Sequence, residues 1–222
     1  MRSATVLGFV ASAAAAALAT PSGLPQPLGE LGWEGVITPG GPKVEVWGSS
    51  FEDIQAKIQV EHPKFSIYTH EEQAAPETSA DPAVVARSKL ERRWGRRVCD
   101  NRFGVVMPYF AEQAANNLRR INGNSCKARA RTCIRTQCVG GAAIGICNDN
   151  HHQIDVPCTG VADMARHIYQ NCWELDTDCK AGRGCEGSNH VTFGQLFSDH
   201  HTWNVIVGQC GYFGNGERPV KA

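Results

Sequence analysis

The sequence predicts a disulfide-stapled α+β fold, a split β-α-β sandwich in which an antiparallel sheet carries two helices on one face, preceded by a small pro-segment. Three observations predict it. All ten cysteines fall between Cys99 and Cys210, and none lies in the first 98 residues. Cysteine therefore reaches about 8 per cent downstream of residue 98, the density of a disulfide scaffold made in an oxidising compartment. Residues 146–172 then combine a strand end at Cys147, a polar loop, and an amphipathic segment bounded by Cys158 and Cys172. Its apolar positions Val161, Met164, Ala165, Ile168 and Cys172 recur on one helical face. Thr159 is placed to cap that helix.

The chain divides into three stretches. Residues 1–19 read as a signal peptide: Arg2 is the positive end, an alanine-rich apolar core follows, and Ala17-Leu18-Ala19 is a small-residue cleavage site. That core is too short to span a bilayer, and Pro21 and Pro25 break its continuation. No transmembrane segment is expected. Residues 20–97 read as a pro-segment. Within it, Trp33 and Trp47 bracket two short strands around a Pro-Gly-Gly-Pro turn, and Ser49 or Ser50 caps a helix through about Glu61 that carries Phe51, Ile54 and Ile58 on one face. Such a unit is too small to be stable alone. An acidic, alanine- and proline-rich linker over residues 71–85 leads to two dibasic pairs, of which Arg96-Arg97 is the last before the first cysteine. Secretory processing at Ala19 and after Arg97 is the expectation, leaving residues 98–222 as the mature domain.

The mature domain reads in order. A first strand fits residues 98–107. Pro108 opens a helix with Phe110, Ala114, Leu118 and Ile121 in one stripe, stopped by Gly123. Two strand-like pieces follow near residues 130–136 and 139–147, with Gly140-Gly141 at the bend. After the Cys158–Cys172 helix, residues 191–197 and 202–209 form a closing hairpin. The cysteines expected to be bridged are Cys99, Cys126, Cys133, Cys138, Cys147, Cys158, Cys172, Cys179, Cys185 and Cys210. Their connectivity stays open among roughly nine hundred pairings.

Ten cysteines on a β-α-β-β-α-β order, the C-x(13)-C helix, and the Gly194-Gln195-Leu196…Asn204-Val205-Ile206-Val207…Cys210 ending resemble the fungal killer-protein-four toxins and a wider group of secreted, cysteine-rich fungal effectors. The likeness covers residues 99–210. It implies a secreted protein that acts by binding; the toxins' channel block is not carried over to any residue here. Cys179 and Cys185 depart from the toxins' pattern by their wider spacing.

Basic residues Lys127, Arg129 and Arg131 alternate along a presumed strand edge, so they share one face and form a candidate contact patch. The alternative role for such a row is a charged edge that discourages sheet-to-sheet association. Six histidines lie in the mature stretch, including the pairs His151-His152 and His200-His201. Adjacent residues on a strand face opposite ways, so these pairs do not predict a metal site, and no cofactor is expected. The sequence thus predicts an extracellular effector or killer-toxin-like protein, monomeric, binding a membrane protein, cell-wall component or host protein without catalysis. With 22 basic against 22 acidic residues, nothing biases the chain towards nucleic acid, and no such partner is expected. The alternative is a small secreted hydrolase of the ribonuclease kind, using one histidine from each pair with Arg131 for the phosphate.

Overall fold

The computed structural model describes residues 23–69, 94–175 and 190–214. The expected signal peptide with Ala19, the acidic linker, Arg92-Arg93, Cys179 and Cys185 lie outside them. Near the start, β1 (Leu31–Val36) and β2 (Lys43–Gly48) pair as an antiparallel hairpin, as the Pro-Gly-Gly-Pro turn predicts. Helix α1 (Phe51–Gln59) follows, with Ser50 as its cap, accepting from the Asp53 amide, and buries Phe51, Ile54 and Ile58.

Downstream, the expected first strand shrinks to β3 (Arg97–Val98), because a 3-10 turn at Asn101–Phe103 intervenes and Val106 makes only an isolated bridge to Thr192. Helix α2 (Pro108–Arg119) starts on Pro108 as expected, and buries Ala111, Ala114, Ala115 and Leu118. Next come β4 (Ser125–Ala128), β5 (Thr132–Val139) and β6 (Ala142–Asn148). The β5–β6 turn is Gly140-Gly141, both at positive φ, as a tight two-residue hairpin demands. A strand not foreseen, β7 (Ile154–Pro157), leads into α3 (Cys158–Asn171). The chain closes with β8 (Trp173–Leu175), β9 (His190–Thr192), β10 (Gly194–Phe197) and β11 (Trp203–Gln209).

These strands form two main antiparallel sheets. One has the order β3-β10-β11-β6-β5; the other, β2-β1-β4-β7, draws two strands from each half of the chain. Helices α2 and α3 pack on each other and on one face of the five-stranded sheet, and a partly buried ion pair between Arg119 and Asp163 ties them together. The main core is shared: Leu31, Trp33, Phe51 and Ile54 lie with Leu118, Ile134, Ile144 and Ile168. Alternation sends Cys133, Cys147 and Ile206 to the opposite face, where Leu24, Leu28 and Phe213 cover them. The fold is a disulfide-stapled α+β sandwich, and its N-terminal hairpin and helix are built into the interior.

Among the described residues four disulfides staple it: Cys99–Cys172, Cys126–Cys158, Cys133–Cys147 and Cys138–Cys210. Cys158 opens α3 and Cys172 caps its end, so the two ends of that helix are tied to β4 and to the residue after β3. Thr159 does not cap α3 as expected. Asn124 does so from the preceding segment, its Oδ1 accepting from the Thr159 amide at 2.9 Å while its Nδ2 donates to the Thr159 hydroxyl at 3.2 Å.

Candidate functional site

Lys127 sits on β4 between β1 and β7, in register with Gly32 on one side and Asp155 on the other. Trp47 pairs with Gly32 from β2, so one row runs Trp47, Gly32, Lys127, Asp155 across the sheet. Gly32 is required there for space. A Cβ would come within 2.8 Å of the Trp47 ring and 2.9 Å of the Lys127 Cβ, so the indole and the lysine stem converge over the glycine. Two residues along β1, Glu34 faces the same way, opposite Glu45 of β2.

The Lys127 ammonium donates to Glu34 Oε2 at 2.8 Å and to Glu45 Oε2 at 2.5 Å, with Asp155 Oδ2 at 3.7 Å. Glu34 also takes Lys43 at 3.4 Å, Glu45 accepts the Trp47 indole N–H at 2.7 Å, and Asp155 accepts the Ser125 hydroxyl at 2.8 Å. The Arg129 guanidinium lies over the Trp47 ring, 4.1 Å from its centre. Lys127 is 6 % exposed against 31 % for Glu34 and 41 % for Glu45, so a buried cation is clasped by half-exposed acids. Its hydrogen bond and charge hold the Glu34 carboxyl below the usual glutamate range, and the Lys127 and Trp47 hydrogen bonds do the same for Glu45. Burial works against the Lys127 charge, but its hydrogen bonds to both glutamates, with their charges, outweigh it and the proton is held more firmly than a free lysine's.

The expected patch is therefore corrected in its geometry. Lys127, Arg129 and Arg131 do not share an exposed strand face. The strand ends at Ala128, Lys127 is buried under the N-terminal hairpin, and Arg131 lies in a turn at φ 55°. Reading the row as β-strand failed because the turn at residues 129–131 rotates Arg131 away. Glu34, Glu45, Trp47 and Asp155 were missed as its partners. A signal for them was present: the turn between Trp33 and Trp47 sets Glu34 opposite Glu45, and two facing carboxylates call for a cation.

Arg96 and Arg97, the expected processing pair, lie along the edge of the five-stranded sheet. Gly95 donates its amide to the Phe197 carbonyl at 3.0 Å, and Phe197 donates to Arg96 at 3.1 Å. The Arg97 guanidinium meets His167 Nε2 at 3.0 Å, and Trp94 stacks edge-on against the same imidazole. Trp94 and Trp203 also flank a mostly apolar cleft of about 340 Å³ bordered by Pro157, Met164, Asp199 and His200.

The histidine pairs fall in two neighbouring loops at one end of the five-stranded sheet. The Asp149 amide donates to the Thr202 carbonyl at 2.9 Å, and Arg131 joins them through its amide to Asn150 O and its guanidinium to Asp149 O, both at 3.1 Å. Among the described residues no group of three or more His, Cys, Asp or Glu could hold a metal ion. No described helix is long and apolar enough to cross a membrane. No family model matches the chain, and no match is found among curated proteins or solved structures.

Proposed function

We propose that this chain is a secreted, disulfide-stapled effector of killer-toxin-like character that acts by binding an acidic extracellular or host partner, and that its basic face is covered by its own N-terminal segment. One observation carries the reading. Lys127 and Arg129 are each engaged by residues 23–69, through Glu34, Glu45 and Trp47. That segment contains no cysteine, so only main chain joins it covalently to the rest. An acidic cover on a buried lysine is complementary to the face in the way a partner has to be. Secretion, processing between residues 69 and 94 and a stapled core suit a protein that works in a protease-rich exterior.

The test applies the protein to plant tissue and to competing fungal cells, uncut and cut between residues 69 and 94. The cut form is expected to give the stronger response, and reduction of the disulfides to abolish it. Replacing Arg129 and Arg131 by Ser is expected to weaken the response while the thermal midpoint stays within a few degrees. No response from either form in either setting would remove the proposal.

A second reading has its own observation. Arg131 and the loops carrying His151-His152 and His200-His201 meet at one sheet end through Asp149, Asn150 and Thr202, and a ribonuclease-like hydrolase needs two proton-transfer groups and a cation. Incubation with RNA tests it. Cleavage that is lost in His152→Ala and in His201→Asn, but kept in His62→Ala, would favour the hydrolase over the binding protein.

A further inference from the structure

Residues 23–69 join the rest of the described chain through the shared core under β1 and α1. Five side chains of residues 23–69 are completely buried in the shared core: Leu31, Trp33, Phe51, Ile54 and Ile67. The Trp33 indole N–H donates to the Asn122 carbonyl at 2.5 Å, and Asn122 returns two bonds, its amide to Ile67 O at 2.8 Å and its Nδ2 to Val36 O at 3.1 Å. The Thr69 amide donates to Arg120 O at 2.7 Å. Along the β5 edge of the five-stranded sheet, the Gly29 amide donates to Cys133 O at 2.7 Å and the Cys133 amide donates to Pro27 O at 2.8 Å. Gly123 fits against β1 only because it has no side chain, since a Cβ there would lie 2.2 Å from the Glu34 carbonyl oxygen.

We infer that residues 23–69 are a non-covalent subunit: a cut between them and Trp94 leaves the segment seated, and it departs in exchange for another acidic strand laid along β4. The inference rests on the reading that this segment covers the contact face, and it names what the face accepts. Uncovering five buried apolar side chains is too unfavourable for spontaneous loss at neutral pH. An exchanging segment must refill the sites of Leu31, Phe51, Ile54 and Ile67, and along β4 it must bring an aromatic for the Trp33 site, a residue without a side chain opposite Lys127, and a carboxylate two positions on, the order Gly32-Trp33-Glu34 shows. Strand addition of this kind takes its affinity from main-chain bonds and its selectivity from alternate side chains. Processing also spares residues 94–98 in the folded chain. A protease reads its substrate as an extended segment, and β3 is already paired with β10 and fastened by the Cys99–Cys172 bridge beside it.

The experiment uses the full chain with residues 76–82 replaced by a site for a sequence-specific protease, so that cutting is assured. After the cut, both pieces are expected to co-elute in gel filtration at neutral pH and to separate only in denaturant. Elution of the N-terminal piece on its own would overturn the inference. A labelled peptide of residues 23–69 is then added in excess and is expected to replace the resident piece. The same peptide carrying Glu34→Gln and Glu45→Gln should compete about tenfold less well or worse. Equal competition by the two peptides would overturn the acidic-strand requirement. In a parallel arm, the uncut, unaltered chain is treated with a dibasic-specific protease and its new N-terminus sequenced; Val98 as that terminus would overturn the protection of β3. None of these readouts uses the cell response, so this inference can fail while the binding proposal stands, and the reverse.

Discussion

At Gly32 a single hydrogen atom decides whether Lys127 can reach its acids. Any larger side chain would push against the Trp47 ring and the lysine stem together. Gly32→Ala is expected to lower stability by about 1–3 kcal/mol, an overpacking penalty, read from the midpoint of urea unfolding. Adding Trp47→Ala should recover part of that loss, because it removes one of the two obstacles. His167 offers a second residue-level check. Burial, followed by the nearby Arg97 charge, holds its imidazole below the ordinary value of 6.5. Arg97→Gln is expected to move its titration upward, towards that value, in a proton NMR titration; an unmoved curve would separate Arg97 from His167.

Among the described helices, α3 is pinned by a disulfide at each end. Removing the Cys99–Cys172 bridge by a double Ala substitution should reduce stability by about 2–5 kcal/mol, measured by thermal unfolding without reductant. Asn124→Ala is expected to remove about 1 kcal/mol by leaving the Thr159 amide in the first turn of α3 without its acceptor. Helix α3 was legible because its apolar period lies within fourteen residues, and so was the β1–β2 hairpin, whose turn chemistry is local. What escaped the sequence was pairing at a distance. β1 lies against β4, with Gly32 opposite Lys127, and no local pattern reports a partner so far along the chain. Thr159 was the better cap on local grounds, yet Asn124 took the role because the fold brings it there. The same distance hid the site: Lys127 looks exposed when read with its neighbours, and is buried when Glu34 and Glu45 are folded onto it.

For the whole molecule, the Lys127 cluster makes stability depend on acid. Glu34 and Glu45 hold protons less readily folded than unfolded, so their contribution is complete above the ordinary glutamate value of 4.5 and is lost as pH falls through their lower, folded values. Lys127 titrates in the opposite sense: its contribution is present below 10.5 and is lost only as pH climbs beyond its raised value. The thermal midpoint should therefore drop below the glutamate range, and the drop should shrink in a Glu34→Gln, Glu45→Gln double variant. A wild-type profile as flat as the variant's would mean that the cluster does not link the two halves.

The interleaved order β2-β1-β4-β7 also has a consequence for synthesis. The first hairpin leaves the ribosome long before the strand that completes its sheet, a delay of about ten seconds at ordinary elongation rates. During that interval Glu34 and Glu45 face each other without Lys127, and the exposed Lys43 at 3.4 Å from Glu34 offsets only part of their repulsion. When Lys127 emerges, one event both neutralises the acids and supplies the missing neighbour of β1. The charge that later clasps the two halves is absent while the first hairpin waits for β4, which supplies both the cation and the neighbour of β1.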